Sequence, residues 1–228
     1  SVESYDSWSS TAGVANTVMG TANRVADSNG ALVYGAGNEI TNSRTNINKP
    51  NGENVASAKE FANKLRESII SSNGGGATMV FGGGNKADNT KRIAVIGINN
   101  TVKDNTTDSF IAGNNHNISS VDNGIFIGNN TKNINVSSAS DVVSIGKDTE
   151  IKGNKTIAIG TESKATDDGA MAIGFNTEAS GRDAIAIGGN VKESGDYVAV
   201  PKTVASGRQS LAIGYKASAK EDLGIAIG

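Results

Sequence analysis

The chain has 228 residues, a formal net charge of −2, 36% hydrophobic and 4% aromatic residues, 29 glycines, two prolines and no cysteine. That composition cannot fill a thick core of Leu and Phe, and it excludes a disulfide framework or a thiolate metal site. The balanced charge, without a basic stripe interleaved with aromatics, speaks against nucleic acid as a partner. No run is long enough for a membrane-spanning helix. Disorder is not implied either, because the net charge is small and the apolar residues fall at regular places. Ser1 opens the chain without Met or a leader pattern, which reads as a fragment or processed product.

Tyr5 and Trp8 come before any repeat. Residues 1–15 are expected to cap the end of a repetitive fold. Exposed aromatics also anchor interfaces, so Tyr5 and Trp8 are candidate ligand contacts too.

From residue 16 a motif recurs: apolar, small or apolar, apolar, Gly. It ends at Gly20, Gly35, Gly82, Gly97, Gly113, Gly128, Gly146, Gly160, Gly174, Gly188, Gly214 and Gly228. A degenerate copy, Val198-Ala199-Val200-Pro201, falls midway between Gly188 and Gly214 and is expected to keep the register. The motif glycines are evenly spaced, about 14 residues apart, from Gly146 through Gly160 and Gly174 to Gly188, and a fixed period of this kind marks a repeat architecture. Upstream the spacing is looser, and the interval from Gly128 to Gly146 is longer than its neighbours. A second apolar mark follows five residues after most of these glycines, at Val25, Ile40, Ala87, Val102, Ile118, Ile151, Ala165, Ala179 and Ala219. Serial short repeats signal a solenoid. Each repeat reads as strand, Gly turn, short second strand and polar turn, making one flattened coil. Gly closes the tight turn because it reaches positive φ without a Cβ clash.

Side chains alternate faces along a strand. The residues one and three before Gly are mostly Ile, Met, Leu or Val, and are expected to fill the coil. The residue between them then points outward, yet it is apolar too: Val95, Ile111, Phe126, Ala158, Ala172, Ala186, Ala212 and Ala226. A strand apolar on both faces is buried on both. This outer row therefore predicts an interface between identical chains, and so a symmetric homo-oligomer.

The rhythm breaks between Gly35 and Gly82, and residues 36–81 are expected to be an insertion. Asn42 to Gly52 reads as a polar loop. Ser57 and Glu60 make a capping-box pattern, and Ala58, Phe61, Ala62, Leu65 and Ile69 recur at helical spacing. A helix is predicted over 58–70. Its charged face, Lys59, Lys64 and Arg66, is a candidate ligand contact.

No catalytic, metal or cofactor site emerges. The single His116 lies in an Asn-rich turn, is expected to be exposed, and has no partner for catalysis. Asp167-Asp168 and Glu221-Asp222 read as solvated turn residues rather than a glycosidase pair. Gly35-Ala36-Gly37-Asn38 and Gly82-Gly83-Gly84-Asn85 lack the continuation of a phosphate-cradling loop.

The stretches Thr156-Ile-Ala-Ile-Gly160, Ala170-Met-Ala-Ile-Gly174, Ala184-Ile-Ala-Ile-Gly188, Ser210-Leu-Ala-Ile-Gly214 and Gly224-Ile-Ala-Ile-Gly228, with Ala179-Ser180-Gly181 and Ala205-Ser206-Gly207, resemble the YadA-like head of the trimeric autotransporter adhesins. The resemblance is close over about 144–228 and looser over about 14–143. It implies an all-β, left-handed parallel β-roll of about 14-residue coils in a homotrimer. It further implies a bacterial outer-membrane adhesin, held through a stalk and anchor absent from this sequence. Implied partners are host matrix proteins such as collagen or fibronectin, or receptors such as the carcinoembryonic-antigen-related adhesion molecules. The larger upstream residues and the insertion depart from the family pattern and leave the ligand open. Rival readings are a solenoid acyltransferase or polysaccharide depolymerase and an ice-binding solenoid. They need, respectively, a six-residue rhythm, a stacked acidic cluster and a flat Thr row, which this sequence does not offer.

Overall fold

At most copies of the repeat motif, the backbone that closes it admits only glycine. Gly35 has φ 142°, a region closed to L side chains, and a Cβ there would collide with the carbonyl of Gly82 in the next coil. The chain turns at this point in successive coils, and the strands before and after it stack in parallel. The computed structural model describes residues 2–3, 13–48, 50, 55–189 and 202–228. They form an all-β parallel solenoid with one α-helix, in two units, Ser1–Phe110 and Ile111–Gly228.

In the first unit, Thr17–Thr21, Leu32–Ala36, Thr78–Gly83 and Ile93–Ile98 pair in sequence, each parallel to the next. Arg24–Ala26, Glu39–Thr41, Lys86–Asp88 and Thr101–Lys103 form a second column. The longer coils here also fit a third short strand, Thr90–Lys91 beside Thr106–Thr107. Val2–Glu3 pairs with Val25–Ala26, while Tyr5 and Trp8 lie outside the described residues.

In the second unit, Asn117–Asn129 pairs along most of its length with Asn135–Ile145. Residues of positive φ, Ser120 and Asn123 in one and Ser138 and Asp141 in the other, bend both strands. Then the short, evenly spaced coils begin. Ile157–Ile159, Met171–Ile173, Ile185–Ile187, Leu211–Ile213 and Ile225–Ile227 stack in one sheet. Glu150–Ile151, Lys164–Ala165, Glu178–Ala179, Val204–Ala205 and Ser218–Ala219 stack in the facing one.

Two expectations change. Ile185–Ile187 pairs directly with Leu211–Ile213, and Val198-Ala199-Val200, expected to keep the register between them, lies outside the described residues. The stretch from Gly188 to Gly214 is a single coil of the usual length interrupted by an added segment, which falls at 190–201, outside the described residues.

The second change concerns the faces. The middle residue of the motif points inward: Val95, Ile111, Phe126, Ala158, Ala172, Ala186 and Ala212 are buried within their own coils, and Ala226 is half-buried in the last one. They meet the second apolar mark, since Val25, Ile40, Ala87, Val102, Ile118, Ile151, Ala165, Ala179 and Ala219 are buried as well. The residues on either side of the middle one point out. The short coils are too thin for an Ile on this inner wall, so Ala faces Ala.

The expected insertion is narrower than 36–81. Leu32–Ala36 and Glu39–Thr41 stack directly on Thr78–Gly83 and Lys86–Asp88, which confines it to 42–77. It contains helix α1, Ala58–Ser71, close to the predicted span. Ser57 caps it by accepting the amide of Glu60 at 3.2 Å, and the Glu60 carboxylate reaches back to the amide of Ala56. The stretch read as a polar loop does structural work. Ile47 is fully buried against Gly75, where a Cβ would strike it. The amide of Thr45 donates to Gly75 and Asn29 Nδ2 donates to the Thr45 carbonyl.

Two stability measurements follow from this packing. Ala172→Leu overfills a thin coil and is expected to cost about 1–3 kcal/mol in denaturant unfolding. Ile47→Ala is expected to cost about 2–5 kcal/mol, whereas replacing 55–71 by a short Gly-Ser linker leaves the unfolding free energy of the coils within about 1 kcal/mol, because α1 contains no buried residue.

Candidate binding surfaces

Turning the middle residue inward leaves the flanking positions outside. In the first unit Met19, Tyr34, Phe81 and Ile96 lie in register on adjacent rungs, and Met19 and Tyr34 are 53% and 57% exposed. In the second unit Ile157, Met171, Ile185, Leu211 and Ile225 form one outward column, and Ile159, Ile173, Ile187, Ile213 and Ile227 another. All are half-buried or exposed. Five rungs extend about 19 Å at the spacing of neighbouring strands. An aliphatic sheet face of this length is a candidate protein-interaction surface.

The opposite sheet is charged. Glu150 bonds Lys152 at 2.7 Å and Lys164 at 2.9 Å, and Lys202 reaches Glu178 at 3.1 Å. Burial alone would raise the Glu150 carboxyl, but hydrogen bonds from Lys152 and Lys164 outweigh it and hold the pKa below the usual value. The turn carboxylates hold turns. Asp168 accepts the Asn154 amide at 2.7 Å, and Asp222 takes the Arg208 guanidinium and amide, which lower its pKa.

Inside the first unit, Asn23, Asn38, Asn85 and Asn100 form a buried ladder. The Oδ1 of each of the first three accepts the amide and the side-chain Nδ2 of the Asn one coil further on. Asn23, Asn38 and Asn85 also donate Nδ2 to the carbonyls of Gly35, Gly82 and Gly97. His116 occupies the equivalent position in its own coil, three places after the motif Gly. It is 5% exposed, not solvated as expected, and its Nε2–H donates to the Gly128 carbonyl at 2.8 Å. The long interval between Gly128 and Gly146 has its own clamp. Asp148 accepts from the Thr131 amide and hydroxyl and from the Lys132 amide. Burial raises the Asp148 pKa, yet these bonds bring it below the ordinary value.

On α1, Lys59, Lys64 and Arg66 are all exposed, but they do not act together. Lys64 is tied to Glu60 at 2.9 Å, while Lys59 and Arg66 share another side with Ile70, which is 67% exposed. Ile70 was missed by the periodicity, which counts apolar residues only where they fall in the stripe. The predicted row of Val95, Ile111, Phe126 and the alanines is not a surface at all. Its outward counterpart could have been found by asking which positions keep large side chains where the coils are shortest. Among the described residues no three His, Cys, Asp or Glu group to hold a metal ion.

Residues 152–177, 168–190 and 205–228 match the YadA head domain repeat. The matches stop and resume on either side of the interruption at 190–201. No curated protein and no solved structure matches the chain significantly.

His116 sets a pH dependence. Burial holds its pKa below 6.5, opposed in part by the bond to Gly128. The unfolded imidazole therefore takes up its proton first as pH falls, and stability declines from about pH 6.5 down to the folded pKa. The thermal unfolding midpoint is expected to drop as pH falls below about 6.5, and His116→Asn, which restores the ladder residue, to flatten that drop. The depressed carboxyls of Asp148, Glu150 and Asp222 act in a separate, lower window, below their unfolded values of 3.8 and 4.5.

Proposed function

On the premise that this chain carries a YadA-like head domain of the trimeric autotransporter adhesin type, we propose that it is a homotrimeric adhesin head. In this reading it is displayed at the bacterial surface, anchored in the outer membrane through regions outside this sequence, and binds host proteins by multivalent contact. The family is an adhesin domain and not a known enzyme family.

The observation that carries the trimer is the outward pair of aliphatic columns, Ile157 to Ile225 and Ile159 to Ile227. Water penalises such a face, and identical chains arranged around a closed rotation axis supply the same face to one another. The interface residues are therefore the neighbours of those first expected. Three rigid copies raise the effective concentration of every weak contact they present. Matrix proteins such as collagen and fibronectin, and carcinoembryonic-antigen-related receptors, are the candidate ligands. The outward rows are Ile, Leu and Met rather than Thr, which does not favour an ice-binding surface.

Light scattering is expected to give three times the chain mass for the wild type and one chain mass for Ile159→Asp with Ile173→Asp. A monomeric wild type rejects the trimer. In a binding screen against the matrix proteins and receptor ectodomains, the monomeric variant is expected to bind about a hundredfold more weakly than the trimer.

A further inference from the structure

Helix α1 presents two unlike faces. At about 3.6 residues per turn, Phe61, Leu65 and Ile69 fall on one side, and all three are half-buried. Arg66, Lys59, Ile70 and Asn63 fall in one arc centred roughly 130° round the helix, and all four are exposed. The first face holds the helix to the protein, so the second faces solvent. On it, Ile70 is an aliphatic side chain one turn from Arg66, with Lys59 at the other end of the same face and the exposed Glu67 beside it. Among the described residues, neither the Lys59 nor the Arg66 side chain has a hydrogen bond or ion pair, whereas Lys64 is paired with Glu60. A chain of net charge −2 thus places two unpaired cations along the same helix face as an exposed aliphatic side chain.

The helix is also firmly placed. Ser57 caps its start, Ser72 Oγ bonds the Ile69 carbonyl near its end at 2.9 Å, and the buried Ile47 and Gly75 anchor the insertion's base.

We propose that the Lys59, Asn63, Arg66 and Ile70 face of α1 is a protein-docking surface, and that its partner is a protein offering an apolar pocket rimmed by carboxylates. Ile70 enters the pocket, Arg66 meets its rim, and Lys59 meets a carboxylate at the far end of the contact. From Lys59 to Ile70 the face extends about 16 Å, well short of a standard-size interface. One copy binds weakly, and a multivalent head makes the contact useful. The proposal rests on the adhesin reading for its setting and on the helix alone for its chemistry.

The chemistry is tested on the full chain with a defined probe, a fluorescein-labelled synthetic helical peptide carrying a Leu stripe flanked by Glu, followed by anisotropy. Ile70→Gln is expected to weaken binding at least about fivefold, and Lys59→Glu with Arg66→Glu at least about tenfold. Lys64→Gln is expected to match the wild type. Unchanged helix content by circular dichroism confirms that the variants are folded. A wild type that does not bind the probe, or binds no better than Ile70→Gln, overturns the proposal. So does a lower molar mass for Ile70→Gln, which would make this face a contact between copies.

Cultured epithelial cells separate the two readings. Adhesion that Ile70→Gln leaves intact overturns the docking face and keeps the adhesin. A head that ignores cells yet shows the expected probe losses keeps the docking face and rejects the adhesin. Binding abolished by heparinase and untouched by trypsin identifies an anionic polysaccharide and overturns the proposal.

Discussion

A coil that closes as tightly as the one from Gly160 to Gly174 leaves space between its two sheets for alanine and small hydroxyls and for little else. The glycine at the turn allows that closure, because a Cβ there would meet the backbone of the next coil. Once the coil is so thin, large aliphatic side chains have only the outside available. The interior of these short coils is accordingly Ala158, Ala172, Ala186 and Ala212 against Ala165, Ala179, Ala205 and Ala219. The Ile and Leu columns on the outer face follow from the same constraint.

Where coils lengthen, the interior grows with them. Val33, Val80 and Val95 face the interior of the first unit, and Phe126 fills the coil that precedes the long interval after Gly128. Backbone polarity is handled by ladders rather than by caps. Asn38 and Asn85 meet donors on one side and acceptors on the other, so the ladder leaves their polar atoms partnered. His116 uses the same carbonyl-directed geometry at the cost of a titratable ring in the interior.

The coils thus form a scaffold whose repeat is tightly constrained, and individuality lies where the repeat is interrupted. The two interruptions enter at corners, where an extra loop leaves strand pairing undisturbed: Glu39–Thr41 stacks on Lys86–Asp88, and Ile185–Ile187 on Leu211–Ile213, as if nothing intervened. Insertions of this kind let surface chemistry vary without altering the fold.

The solenoid, its repeat length, the glycine turns and the helix of the insertion were legible in the amino-acid sequence, because each is a local or periodic property. Gly35 demands its turn, Ser57 its helix start, and the even spacing of Gly146, Gly160, Gly174 and Gly188 its coil. Which face of the strand is inside was not legible from alternation, since alternation marks two faces without saying which is the inner one. The tertiary structure decided it through coil width, and with it the exchange of Ala172 for Ile173 as the outward residue. Long-range stacking also decided that Ile185–Ile187 lies directly beside Leu211–Ile213, that Ile47 is buried within its loop, and that His116 is buried. Each of those depends on what the next coil places alongside, and a linear pattern does not contain that.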